Sequence, residues 1–168
     1  MKALALFLLL FVSVPLVSAQ PVVVLVRHAE KASSSSMSAT TMTTDVPLSE
    51  AGRNRAEALA ELLRNERIKH IFSTDYVRTK STAQPLAQAI HLPVEIYDPK
   101  DPQFISRLRS LNENVLIVGH SNTVDDVVNG LMGKKEIETD LPDSAYGDLF
   151  VVKKKAGKTT FEKKHFGK

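Results

Sequence analysis

Apolar and polar residues alternate along the chain with two periods, one typical of buried strands and one typical of helices. Two segments are almost wholly apolar, and such runs predict strands that are buried on both faces of a sheet. Two shorter apolar segments predict further strands between them. In chain order, the predicted strands are residues 22–26, 68–73, 93–97 and 114–118.

Between these strands lie segments whose apolar residues have helical spacing. Apolar residues from Ala56 to Leu63 recur every three or four positions, and Ser49 before them is suited to cap a helix. Pro85 lies inside the second predicted helix and is expected to bend or divide it. The first predicted helix follows Ser49 and includes Leu63. The others are residues 77–90, 102–111 and 124–132, and Gly133 closes the last of them.

The end of the chain has a different pattern. Residues 148–154 and 158–164 are joined through Ala156 and Gly157, which predicts a β-hairpin. Strands that alternate with helices favour an α/β fold. We therefore expect a three-layer sandwich, with a mostly parallel central sheet flanked by helices and the C-terminal β-hairpin at its edge.

The first residues resemble a targeting signal. Lys2 precedes an apolar run at residues 3–12, and small residues around Ala19 are typical of a cleavage site. We expect residues 1–19 to be a signal peptide and residues 20–168 to be one domain, in the periplasm or secreted. An uncleaved membrane anchor is the alternative. Residues 32–44 are rich in Ser and Thr, which predicts a surface loop.

The amino-acid composition excludes several kinds of site and partner. The chain has no cysteine, which excludes disulfides, thiol nucleophiles and cysteine-based metal sites. Its net charge of +3 is too small to indicate nucleic acid as a partner. Seven lysines near the C-terminus indicate protection of an edge strand, and binding to an anionic envelope surface is the alternative. They are Lys153, Lys154, Lys155, Lys158, Lys163, Lys164 and Lys168.

Two histidines follow the two buried strands. His28 comes after residues 22–26 and His120 after residues 114–118, so both are expected at the carboxyl edge of the sheet, where α/β proteins bind ligands. Arg27 and Arg78 are expected at the same edge, and arginine matches phosphate oxygens with two parallel donors. With no acid expected beside them, these four residues predict a phosphate pocket. Two unrelated histidines in turns are the alternative.

The residues around these positions resemble a known family. Arg27-His28-Ala29-Glu30 is similar to the signature of the histidine phosphatase superfamily, in its phosphoglycerate mutase-like branch. The resemblance continues through three further blocks in the order of the family. These blocks are Leu48-Ser49-Glu50-Ala51-Gly52, Ser73-Thr74-Asp75-Tyr76-Val77-Arg78-Thr79 and Val118-Gly119-His120-Ser121-Asn122-Thr123.

The resemblance implies a phosphoric monoester hydrolase that needs neither cofactor nor metal. His28 would be the phosphorylated nucleophile, Arg27 and Arg78 would hold the phosphoryl oxygens, and His120 would be a further donor and catalytic residue. The expected substrate is a small phosphomonoester or a phosphorylated envelope sugar. Phosphohistidine phosphatase-like activity and binding of phosphorylated ligands without turnover are the alternatives.

The proton donor to the leaving group is the weakest part of the match. Asp98 is the first candidate and Asp101 the second, and neither lies in a recognisable motif. Glu30 is expected either to order the pocket or to lie on the surface. Ser121 and Asn122 are expected to cap the helix that follows His120, and contact with a phosphate oxygen is the alternative.

Overall fold

A computed structural model of the chain describes residues 21–33, 45–155 and 157–167. The expected signal peptide and residues 34–44 of the expected loop lie outside the described residues. No helix among the residues described is both long enough and apolar enough to cross a membrane.

Six strands form one mixed sheet. They are β1 (Val22–Arg27), β2 (Ile68–Ser73), β3 (Val94–Ile96), β4 (Asn114–Gly119), β5 (Asp148–Lys155) and β6 (Lys158–His165). Their order across the sheet is β3-β2-β4-β1-β5-β6. The first four of these are parallel, β5 runs antiparallel to β1, and β6 runs antiparallel to β5. The predicted α/β class and the edge hairpin are therefore confirmed.

Both faces of the sheet are covered by helices, because alternate residues of β1 enter different cores. Val23 and Leu25 belong to a cluster that includes residues of the third and fourth helices. Val24 and Val26 belong to a cluster with residues of the first and second helices. A strand with two buried faces carries no polar alternation, which is why residues 22–26 read as continuously apolar.

The four helices lie close to the predicted positions, with differences at Pro85, at the start of the fourth helix and at both ends of the third helix, which is shorter than predicted. They are α1 (Glu50–Leu63), α2 (Val77–Ala89), α3 (Phe104–Ser110) and α4 (Ser121–Met132). Pro85 does not divide α2, since the neighbouring Leu86 and Ala87 are buried in the core and hold the helix together. Ser49 caps α1 as expected, with its hydroxyl accepting from the Gly52 N–H at 3.0 Å.

The start of α4 differs from the prediction. The helix begins at Ser121, three residues earlier than expected, and His120 is its N-cap residue. The His120 N–H donates to the Thr123 hydroxyl at 2.8 Å, which closes the first turn. Ser121 and Asn122 are therefore in the first turn of the helix, and the expectation that they cap it is wrong.

The lysines of the hairpin lie beside acidic residues as well as solvent. Lys163 contacts Asp148 at 2.8 Å, and Lys153 and Lys164 both contact Glu162, at 3.3 and 3.4 Å. β6, the edge strand, thus carries mixed charge. Binding of this surface to anionic envelope components stays a prediction.

Candidate active site

The ends of three strands bring the predicted site residues together. Arg27 ends β1, and the His28 N–H extends the sheet by donating to the Gly119 carbonyl at 2.9 Å. His120 follows β4 directly, and Arg78 lies in the first turn of α2, just beyond β2. All four side chains line one cleft of about 430 Å³. The two histidine rings are 5.4 Å apart, measured between centroids.

His28 is held in one tautomer. Its ring is buried, and Nδ1 lies 2.8 Å from the Ala29 carbonyl oxygen. Because a carbonyl can only accept, Nδ1 carries the proton and Nε2 keeps its lone pair. Burial lowers the pKa of His28 to about 4, helped by the positive charges of Arg27 and Arg78 and opposed by the Ala29 contact. The ring is therefore neutral and nucleophilic near pH 7.

His120 is neutral for the same reason. Burial, followed by the charge of Arg78, lowers the pKa of His120 to about 4. Its Nδ1 lies 3.4 Å from the Arg78 Nη2, which can only donate, so the proton is on Nε2 and donates to the Thr74 hydroxyl at 2.9 Å. His120 thus orients Arg78. Donation from Nδ1 to a phosphoryl oxygen requires a second proton on the ring.

Each arginine is oriented by an acid and an aromatic ring. Arg27, almost completely buried, donates to the Pro142 carbonyl at 2.9 Å and to Asp143 at 3.0 Å. The Tyr146 ring lies 4.6 Å from its guanidinium carbon. The Arg27 Nε–H is buried and has no acceptor among the described residues. The guanidinium of Arg27 is thus fixed in position but does not use all of its N–H donors, which suits it to bind an anion.

Arg78 has a similar arrangement on the opposite side of the cleft. Its guanidinium lies 4.5 Å from the centre of the Tyr76 ring and 3.5 Å from Asp45. Asp45 and Asp143 show that the expectation of arginines without acidic neighbours is wrong. Asp143 is 116 residues from Arg27 in the chain, so no local pattern indicates the contact.

The structure does not bring the Asp98 side chain into the cleft. Pro99 and Lys100 line the cleft, whereas Asp98 is exposed and accepts from the Lys100 N–H at 2.9 Å. Asp101 similarly accepts from the Gln103 N–H at 2.8 Å. Both acids stabilise local turns. The catalytic role expected for Asp98 stays a prediction.

Glu30 orders the wall of the site from outside the cleft. Its carboxylate forms a two-pronged ion pair with Arg55 of α1, with distances of 2.7 and 2.8 Å. Arg55 also donates to the Phe166 carbonyl at 2.9 Å. The segment after His28 is thereby tied to α1 and to the end of the chain.

A third histidine has partners that its sequence position does not indicate. His70 on β2 lies 3.0 Å from Glu95 and 2.9 Å from Glu113, which belong to β3 and to the approach to β4. These carboxylates raise the pKa of His70. His70 does not line the cleft and connects three strands near the surface.

Two neutral histidines and two oriented arginines lie together at the carboxyl edge of the α/β sheet, an arrangement suited to a phosphoryl group. Comparison with known proteins agrees with this description. Residues 23–99 match the model of the histidine phosphatase superfamily (branch 1). These residues, slightly less than half of the chain, are similar to members of that superfamily.

Individual relatives are similar over different lengths. The probable phosphoglycerate mutase GpmB of Yersinia pestis (strain Pestoides F) is 42% identical over 72 residues, which are 43% of this chain and 30% of that protein. The match thus spans less than a third of the curated relative.

Solved structures match over nearly the whole fold. The protein histidine phosphatase SixA complexed with tungstate has a TM-score of 0.64 at 19% identity, over 86% of this chain and 96% of that one. Mycobacterial glucosyl-3-phosphoglycerate phosphatase has a TM-score of 0.61 at 15% identity, over 86% and 98%. These similarities show a shared fold.

Proposed function

We propose that the protein is a phosphohydrolase that transfers a phosphoryl group to His28 and then to water. One observation carries this proposal: His28 is a buried, neutral imidazole whose single ring N–H, at Nδ1, donates to the Ala29 carbonyl. Its Nε2 lone pair therefore lies in a cleft with two arginines. A nucleophile beside fixed positive charge is the arrangement that phosphoryl transfer requires.

The reaction has two steps. In the first, Nε2 of His28 forms a bond to phosphorus while the bond to the leaving oxygen breaks and its electron pair goes to that oxygen. Arg27 and Arg78 neutralise the charge on the remaining phosphoryl oxygens. In the second, water attacks the phosphohistidine, phosphate is released and His28 regains its lone pair.

The substrate is proposed to be a small phosphomonoester or a phosphorylated envelope sugar. Lys31 and Lys100 line the cleft beside the arginines, so its positive charge extends beyond the phosphoryl group. A panel of phosphate esters, including sugar phosphates, tests the proposal. The expected result is the highest kcat/KM for one class of small esters.

The similarity to SixA favours a second candidate, a phosphatase of phosphohistidine. The similarity covers 96% of the SixA chain, so the two proteins share nearly the whole of that fold. The imidazole of a phosphohistidine is also a good leaving group, so cleavage of the P–N bond needs no strong proton donor. A phosphohistidine peptide belongs in the same panel, and a higher kcat/KM for it than for every ester would favour this candidate.

We also propose that the protein is exported, on the pattern of residues 1–19. N-terminal sequencing of protein from the cell envelope or medium is expected to begin at Gln20. A sequence that begins at Met1 would contradict cleavage.

Replacement of the nucleophile tests the central proposal. His28→Ala is expected to abolish turnover of p-nitrophenyl phosphate and the acid-labile, base-stable phosphoryl adduct that rapid quenching in alkali detects. His91→Asn is the matched control, because His91 is exposed and Asn tolerates its positive φ of 56°. Near-normal turnover by His28→Ala would contradict the mechanism. Binding of phosphate by wild type without turnover would identify a binding protein.

A further inference from the structure

Residues 141–147 carry Asp143, which lines the cleft, and the fold itself holds this segment in place. The Leu141 N–H donates to the Ser121 carbonyl at 3.0 Å, and the Ala145 N–H donates to the Pro142 carbonyl at 3.0 Å. Gly147 accepts from the Phe166 N–H at 2.9 Å, and Leu141, Ala145 and Gly147 are buried. The segment therefore has a defined position before any ligand binds.

This segment places Asp143 at the mouth of the cleft. Its Oδ1 lies 3.0 Å from Arg27 Nη2, and its Oδ2 makes no hydrogen bond with the described residues. The side chain is 96% exposed, so the carboxyl group can turn toward a ligand. Asp143 is the one carboxylate among the described residues that line the cleft.

The carboxylates of the other nearby acidic residues already accept hydrogen bonds or form ion pairs with other groups. Asp45 accepts from the Val77 N–H with both oxygens, at 2.9 and 2.8 Å, and Asp98 accepts from a backbone N–H outside the cleft. Glu30 is paired with Arg55. Every Asp and Glu of the chain lies within the described residues, so no other acidic side chain remains to be placed.

We propose that Asp143 is the general acid and base of the reaction at His28; this inference rests on the proposed phosphohydrolase function. In the first step, the Asp143 carboxyl gives its proton to the leaving oxygen as the P–O bond breaks, so an alcohol departs and a carboxylate remains. In the second step, the carboxylate takes a proton from the attacking water as the phosphohistidine P–N bond breaks. Phosphate leaves and the carboxyl group is restored.

A phosphoryl group in the cleft would share Arg27 with Asp143, whose Oδ1 lies 3.0 Å from the Arg27 Nη2. The same contact explains why the acid lies beside Arg27: the residue that holds the phosphoryl group also holds the proton donor within reach of the leaving oxygen.

The dependence on leaving group tests this role. Asp143→Asn is expected to lower kcat/KM for glycerol 2-phosphate by about a hundredfold or more, the size of a typical general-acid contribution, because an alkoxide leaves poorly without a proton. For p-nitrophenyl phosphate the loss is expected to stay within about threefold, since the phenolate needs little protonation. Asp143→Glu is expected to restore part of the glycerol 2-phosphate activity.

Two further variants are compared with Asp143→Asn in the same assays. Asp140→Asn removes the same charge from an exposed position close by and is expected to behave as wild type. Asp98→Asn tests the candidate that sequence alone favours.

Equal loss with both substrates in Asp143→Asn would overturn the proposal and assign Asp143 to the orientation of Arg27. A leaving-group effect in Asp98→Asn but not in Asp143→Asn would overturn it as well. Neither result would affect the phosphohydrolase proposal, which fails only if wild type turns over no substrate or His28→Ala remains active.

Discussion

At the scale of single residues, the site depends on neutral histidines in a positively charged cleft. Burial has the largest effect on both rings, and the arginines add to it. A protonated imidazole has no lone pair with which to attack phosphorus. The fold therefore keeps the nucleophile ready at pH values where an exposed histidine would be partly protonated.

Activity is expected to persist to unusually low pH. Because the pKa of His28 is lowered to about 4, kcat/KM corrected for substrate ionisation should fall only as the pH drops through that value. Between pH 6.5 and about 4 the unfolded chain binds more protons at His28 than the folded one, so stability should decrease as pH falls through this window. A pH–rate profile and urea unfolding measure the two effects. An acidic limb near 6.5 would contradict the predicted pKa.

Arg78 is expected to act through charge and geometry together. Arg78→Ala should lower kcat/KM by about a hundredfold, the loss typical for one stabilising donor in a transition state. Arg78→Lys should recover part of this, because lysine keeps the charge but not the paired donors. Arg64→Ala is the control, since Arg64 directly follows α1 and its exposed side chain forms an ion pair with Glu61. Normal activity in Arg78→Ala would remove Arg78 from the site.

At the scale of elements, α1 packs unusually closely on the segment after the nucleophile. A Cβ added at Gly52 would lie 2.1 Å from the Glu30 carbonyl oxygen, a backbone atom that cannot turn away. Ser49, the cap of α1, also donates its N–H to that carbonyl at 2.9 Å. The glycine in the first turn of α1 thus permits a contact that fixes the strand end carrying His28.

Gly52→Ala therefore separates packing from helix propensity. Propensity alone would make alanine more stable by about 1 kcal/mol in a helix, whereas overpacking costs about 1–3 kcal/mol or more. We expect a net loss in urea unfolding and a decrease in kcat/KM as the segment after His28 shifts. Asn54→Ala, at an exposed position of the same helix, should show neither loss. A more stable Gly52→Ala protein would contradict the close contact.

At the scale of the whole molecule, parallel strands gather residues that are distant in sequence. Strands β1, β2 and β4 end at one edge, which brings His28, Arg78 and His120 into one cleft. The two arginines and two lysines of that cleft would repel a metal cation. Under the proposed function, the arginine side chains of the cleft would neutralise the phosphoryl charge.

Activity is accordingly expected to be unchanged by a chelator. Wild-type protein treated with EDTA and dialysed should keep its kcat/KM for p-nitrophenyl phosphate within about twofold, since the arginines supply the charge stabilisation. A metal-dependent phosphatase assayed in parallel confirms that the chelator is effective. Loss of activity with recovery on added zinc or magnesium would contradict the mechanism.

The sequence alone determined the fold class, and it predicted the four residues that share the cleft; their roles stay a prediction. Continuous apolar runs mark strands with two buried faces, and residues directly after such strands must lie at the ligand-binding edge of the sheet. His28 and His120 both follow such runs, and the Arg27-His28-Ala29-Glu30 block indicates the family. These signals are local, so they can be read without knowing how the chain folds.

Only the tertiary structure decided which acids contact the arginines and which ring nitrogen of each histidine carries the proton. Asp143 reaches Arg27 from 116 residues away in the chain and Asp45 reaches Arg78 from 33 residues away, so neither contact has a periodic pattern. Asp98 lies near the site in sequence, but a local turn holds its carboxylate outside the cleft. Long-range contacts and burial depend on the three-dimensional path of the chain, and they set the charge, protonation and orientation on which the proposed chemistry depends.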